Sequence, residues 1–274
     1  MIKVRLKTII FLVILTYLII QPNISYGEPI FVTLGTNLDK IIFDGKWTFV
    51  KEWKGSSEDV IKFDDKHEFS IRTAHDYENL FVFIDFITDT SIEKFSDRAV
   101  LCLDTMTNKS PTPDIDDYCF SVSVGSANPI ILQGGGKLGQ TNFFKKIQTD
   151  PKIVAVGGIS SIGDRYSNVP HTSYEFKIPL DIIGRHDVYG LYVIVIDART
   201  GDIHSWPQNE IRSSYQNIPP PDKWGLMISP DKSIPEFGFA PIWQLAVMMI
   251  IIFIMSKIVI PLFSGSKSTI RSKG

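Results

Sequence analysis

Apolar residues in this chain follow two unlike patterns. At each end they form one long run. Between the ends they come in short bursts, rich in β-branched and aromatic residues and separated by Gly, Pro, Asn and Asp. Such bursts predict strands near Lys40–Phe43, Phe69–Thr73, Leu80–Thr88, Ala99–Asp104, Tyr118–Val124, Lys152–Ile159, Ser173–Ile178, Tyr189–Asp197 and Trp224–Ile228. Leu80–Ile84 is apolar at every position, which predicts a central strand covered on both faces. No helical period is sustained over about ten residues between Glu28 and Pro230. Pro219, Pro220 and Pro221 make a stiff, extended lead into the last strand. The predicted class is all-β: a two-sheet antiparallel β-sandwich, jelly-roll or immunoglobulin-like.

The terminal runs read differently. Lys3, Arg5 and Lys7 precede an apolar stretch from Thr8 to Ile20, and Ser25-Tyr26-Gly27 places small residues at −3 and −1 before Glu28. That is the pattern of a secretory signal peptide, residues 1–27, cleaved near Gly27; an uncleaved anchor is the alternative. From Phe239 to Ile260 only Lys257 is charged, and about 20 apolar residues suffice to cross a bilayer as a helix. Lys267, Arg271 and Lys273 follow, with no acid after Glu236. This bias predicts a cytoplasmic tail over 261–274 and a single-pass protein of the cell membrane in contact with lipid. The body, residues 28–230, is then extracellular, with 231–238 as a short spacer.

Composition removes several classes of function. The formal charge of −2 offers no basic stripe for nucleic acid. The histidines (His67, His75, His171, His186, His204) show no metal-ligand spacing. Gly134-Gly135-Gly136 lacks the Lys-Ser/Thr of a phosphate loop. No organic cofactor is expected, and no paired-acid cleft of the glycosidase kind is legible, so the chain is expected to be non-catalytic.

Cys102 and Cys119 are the only cysteines, and outside the cytosol pairing is the default. If Ala99–Asp104 and Tyr118–Val124 form an antiparallel hairpin, matching Cys102 with Cys119 sets Leu103 against Tyr118 and Asp104 against Asp117. Facing residues stand about 5 Å apart, which suits a disulfide. The same register opposes two carboxylates, which repel unless compensated. With Asp114 and Asp116 in the connecting loop, four acids supply hard oxygens of the kind calcium takes. A solvated acidic loop with free thiols is the competing reading. Asn108-Lys109-Ser110 in the same loop is a glycosylation sequon, with Pro111 next to it.

Two resemblances add to this. Pro235-Glu236-Phe237-Gly238, placed before a hydrophobic helix and a short basic tail, resembles the Pro-Glu-Phe-Gly sorting signal of archaeal surface proteins, which implies an archaeosortase as partner. An ordinary stop-transfer helix explains the same residues without one. Across the body, Ile42-Phe43-Asp44-Gly45-Lys46-Trp47 with Glu52-Trp53, His75 through Val82, Asp104 through Phe120, Ser173 through Leu180, and Trp224-Gly225-Leu226-Met227 together resemble the family 9 carbohydrate-binding module and its wider group of sandwiches.

That resemblance implies structural calcium and a site where tryptophans stack on sugar rings. Trp53 and Trp206, in loop-like settings, are the expected stacking residues; Trp47 and Trp224, in strand-like settings, are expected in the core. The function expected is a cell-surface protein that binds a saccharide or surface glycan. Two alternatives are a structural surface-layer-associated protein and a haem-binding electron carrier of the same sandwich group. The haem reading would need Met106 or Met227 as an axial ligand.

Overall fold

A computed structural model describes residues 28–136, 143–208 and 218–231. The expected signal peptide, spanning helix, sorting motif (Pro235, Glu236, Phe237, Gly238) and basic tail lie outside the described residues. Among the described residues no helix is long and apolar enough to cross a membrane.

The strands are β1 (Ile30–Phe31), β2 (Thr33–Leu34), β3 (Ser57–Lys62), β4 (Glu68–His75), β5 (Asn79–Phe86), β6 (Arg98–Asp104), β7 (Asp117–Ser123), β8 (Ile130–Gln133), β9 (Lys145–Ile147), β10 (Val154–Ser160), β11 (His171–Pro179), β12 (Val188–Ile196), β13 (Ile203–Trp206) and β14 (Gly225–Ile228). A single α-helical turn, α1 (Leu180–Ile183), separates β11 from β12. One sheet runs β1-β14-β12-β6-β7-β8-β9, with β13 also on β12. The other runs β10-β11-β5-β4-β2, with β3 also on β4.

Among the described strands all pairings are antiparallel except two short parallel ones, β1 with β14 and β2 with β4. The N-terminal segment therefore straddles the sandwich: Ile30 and Phe31 join one sheet and Thr33 and Leu34 the other. Val32 N–H donates to Ile228 O at 2.9 Å, and Gly35 N–H to His75 O at 3.0 Å.

Strand alternation sorts the side chains into layers. Leu80, Val82, Ile84 and Phe86 of β5 point inward with Leu101 and Leu103 of β6, Phe120 of β7, Phe176 of β11, and Leu191 and Val193 of β12. This inter-sheet core is the largest apolar cluster. The opposite parity serves two smaller ones. Val100, Cys102, Cys119, Tyr192 and Ile194 lie on the outside of the first sheet, beneath Phe144, Ile218 and Trp224. Phe81 and Phe83 lie on the outside of the second, beneath Leu38, Ile41, Trp47 and Trp53. β5 is thus covered on both faces, as its unbroken apolar run predicts.

One expected strand is absent. Lys40–Phe43 lies in a loop that follows a 3-10 turn at Leu38–Lys40. Its apolar residues serve a lid instead of a strand: Ile41, with Leu38 before it, is buried over the second sheet. Glu52 Oε1 accepts the Ile42 N–H at 2.8 Å, in place of a neighbouring strand.

Candidate functional site

The acidic hairpin has the register that the cysteines impose. Cys102 pairs with Cys119, Leu103 with Tyr118 and Asp104 with Asp117 across β6 and β7. The disulfide is formed, with Cα atoms 4.0 Å apart. Asp104, Asp116 and Asp117 each offer an oxygen within 4.8 Å of the others, and Asp104 and Asp117 are fully buried. Room for them comes from β12. Gly190 faces Asp104 in the register, and a Cβ there would stand 2.8 Å from the Asp104 Cβ.

Each Asp104 oxygen accepts one backbone N–H, from Asn108 at 3.2 Å and from Lys109 at 2.9 Å. Asp117 Oδ2 accepts the Asp114 N–H at 2.7 Å, while its buried Oδ1 accepts nothing. Burial, then the neighbouring charges of Asp104, Asp114 and Asp116, push the Asp117 carboxyl up to about 8. Burial and then Asp114 push Asp116 up to about 6. Without a cation, the hairpin therefore holds protons that an ordinary aspartate would release.

Asp114 lies beside the three-acid group, with Oδ2 accepting from Asn108 Nδ2 at 3.1 Å. Asn108 is exposed, yet its amide is engaged by both Asp114 and Asp116. A glycan on that nitrogen would compete with these bonds.

The expected stacking tryptophans do not present faces to solvent. Trp53 is completely buried. Its ring stacks on Phe83 at 5.3 Å, and its Nε1–H donates to Glu175 Oε1 at 3.0 Å. The other Glu175 oxygen accepts the Gly45 N–H at 2.7 Å. Gly45 has φ +81°, and a Cβ there would meet Gly158 N at 2.5 Å. Glu175 is therefore an internal staple, pinning the lid to the second sheet. Burial pushes its carboxyl up to about 8, against the pull of those two donors.

Trp206, in β13 opposite Val193, is also buried, with its ring over Gly225 and its side chain in the inter-sheet core. Loop-like composition misleads at both positions, because the loops around Trp53 fold back over a sheet face and Trp206 sits in a short strand. Trp47 and Trp224 are buried as expected. Met227 lies in the inter-sheet core while Met106 is exposed on the acidic loop.

An exposed aromatic does occupy a cleft. The cleft, of about 710 Å³, is lined by Tyr77, Glu78, Asn79, Lys177 and Arg185 among others. Tyr77 is 46% exposed at the tip of the β4–β5 hairpin, with a backbone φ of +70°. For a bulky residue that conformation is costly and rare. Asp76 holds it in place by accepting the Glu78 and Asn79 N–H groups at 3.0 and 2.6 Å. Arg185 lies over the ring at 5.6 Å, and His75 packs against it edge-on at 5.4 Å. Nothing in the spacing of Asp76-Tyr77-Glu78-Asn79 singles out this tyrosine, although a large aromatic within a tight turn is itself unusual.

A third cluster is entirely internal. Asp85, the one charged residue of β5, meets His171 of β11 and Asp164 of the preceding loop. Although burial opposes its charge, His171 is raised by its hydrogen bond to Asp85.

No family model matches the chain, and no curated relative matches it either. Among solved structures it is similar to a carbohydrate binding module family 9 (CBM9) from Caldicellulosiruptor kristjanssonii in complex with cellotriose, at 13% identity over 76% of this chain and 98% of that one, TM-score 0.47. The same module in complex with glucose gives 13% identity over 76% and 100%, TM-score 0.48.

Proposed function

We propose that this is a non-catalytic, cell-surface carbohydrate-binding protein whose saccharide site is the Tyr77 cleft. The observation that carries the reading is a half-exposed aromatic ring held in an unfavourable backbone conformation at a cleft mouth. Backbone strain of this kind persists where the surroundings enforce it, and it concentrates at binding sites. A phenol ring offers an apolar face for the C–H side of a sugar, and Asn79, Glu78, Lys177 and Arg185 offer donors and acceptors for hydroxyls.

The acidic hairpin complements this as a structural calcium site. Asp104, Asp116 and Asp117 supply the charge, and the unpaired Asp117 Oδ1 supplies a ready ligand. The residues thus fit the ion. When bound, it would neutralise the carboxylates that the disulfide register forces together. The apolar run Phe239–Ile260 and the basic tail support anchoring at the membrane, and Pro235–Gly238 supports processing by an archaeosortase.

The test is binding of the full chain to a panel of soluble oligosaccharides and surface polysaccharides, by glycan array and then calorimetry. Tyr77→Ala should weaken the best ligand about tenfold, the loss of one stacking contact, while Trp53→Phe leaves the affinity unchanged. Binding unaffected by Tyr77→Ala would exclude this cleft. No binding to any glycan would favour a structural coat role.

A further inference from the structure

We propose that Asp85, Asp164 and His171 form a binding site for a zinc-class divalent ion, which clamps the loop over residues 161–170 onto the second sheet. The three side chains have no solvent exposure, and one ligand atom from each lies within 4.8 Å of the others. His171 Nδ1–H donates to Val169 O at 2.6 Å. That bond fixes the ring and leaves Nε2, whose proton is donated to Asp85 Oδ1, as the nitrogen that an ion would take in that proton's place. Ligating histidines are oriented in this way by a backbone carbonyl.

Nε2 faces oxygens only. It is 2.7 Å from Asp85 Oδ1 and 3.9 Å from Asp164 Oδ2. Ligands about 2 Å from a tetrahedral ion stand about 3.3 Å apart, and the two separations bracket that value. Two oxygens in the cluster, Asp85 Oδ2 and Asp164 Oδ2, are buried and accept no hydrogen bond. Buried carboxylate oxygens are costly in that state. The other Asp164 oxygen is already engaged by the Tyr166 and Ser167 N–H groups at 2.6 and 3.2 Å, which aim the free one inward.

The charge of Arg72, which reaches Asp85, does not resolve the imbalance. Arg72 is paired with Glu58 and donates to Tyr166 Oη at 2.7 Å. Two buried carboxylates against one imidazole leave a negative remainder that a divalent ion would cancel. An imidazole with carboxylates selects zinc and its neighbours rather than calcium, so this site differs in kind from the all-oxygen hairpin. Its ligands come from β5, β11 and the intervening loop, so ion uptake would accompany folding.

The full chain, without a histidine tag and stripped by chelator, should be titrated with zinc and, separately, with cobalt. The expected result is one equivalent of cobalt with the visible absorption of a four- or five-coordinate ion, and a zinc-induced rise in the unfolding midpoint. Both should persist in Asp117→Asn, which disables the hairpin, and both should vanish in His171→Gln. Asp164→Asn should weaken zinc about tenfold or more. If a variant fails to fold, nitrogen NMR of the wild-type histidines decides. With zinc, the His171 Nε2 resonance should move to a metal-bound position while Nδ1 stays protonated. Two protonated ring nitrogens in excess zinc, or cobalt binding unchanged in His171→Gln, would overturn the proposal in favour of a proton-bound ion cluster.

Discussion

Removing the Trp53 indole should destabilise the fold, because the ring is fully buried, stacked on Phe83 and donates to Glu175 Oε1. Trp53→Phe keeps most of the packing but leaves that buried oxygen without its donor, at about 1–3 kcal/mol. Trp53→Ala also empties the ring's volume and should cost about 3–5 kcal/mol or more. With a urea slope of about 2 kcal/mol/M, the alanine variant should unfold at a midpoint lower by roughly 1.5–2.5 M and the phenylalanine variant by roughly 0.5–1.5 M.

Glu175 adds a pH signature to the same experiment. Its folded carboxyl titrates at about 8, against 4.5 for the ordinary group. The raised value means that stability from this group is complete below about 4.5 and is lost as pH rises through about 8. Glu175→Gln should reduce that decline. Equilibrium urea unfolding at fixed calcium, repeated at pH 5, 7 and 8.5, reads both effects. If Trp53→Ala unfolds at the wild-type midpoint and instead abolishes glycan binding, the ring is a surface platform and the staple is wrong.

Two further outcomes concern the hairpin. Replacing both Cys102 and Cys119 with serine releases a link between residues separated by 17 positions and should lower stability by about 3 kcal/mol, read from denaturation with and without reductant. In the cation-free hairpin, burial pushes Asp117 up to about 8, so a calcium ion at the proposed site would have to displace its proton. Apparent calcium affinity should therefore rise about tenfold per pH unit between pH 6 and 8, while Asp117→Asn should remove both the calcium-induced stabilisation and its pH dependence.

What the chain reveals in advance depends on how local the cause is. The register of β6 on β7 was legible because, once Cys102 is paired with Cys119 across a hairpin, every other facing pair follows. β5 was legible because an apolar run on both parities has a single explanation. The lid was not, since Leu38, Ile41, Trp47 and Trp53 are buried by a distant sheet face that no local period reports. The strand pairs β1–β14 and β2–β4 involve only two residues on each side, too few to leave a pattern. Asp85 did leave a trace, as a lone carboxylate ending an apolar central strand. His171 became informative only when the fold brought its ring to within 2.7 Å of that carboxylate, 86 positions away.

The straddling N-terminal segment has a mechanical consequence. β14 is the last described strand before the C-terminal run, and it lies between β12 and β1. A load applied at the carboxyl end and directed along β14 would draw that strand lengthwise past both neighbours. Its cross-links would then resist together instead of opening one by one. Because the same leading segment is also fastened to the opposite layer, the pull is shared between two sheets.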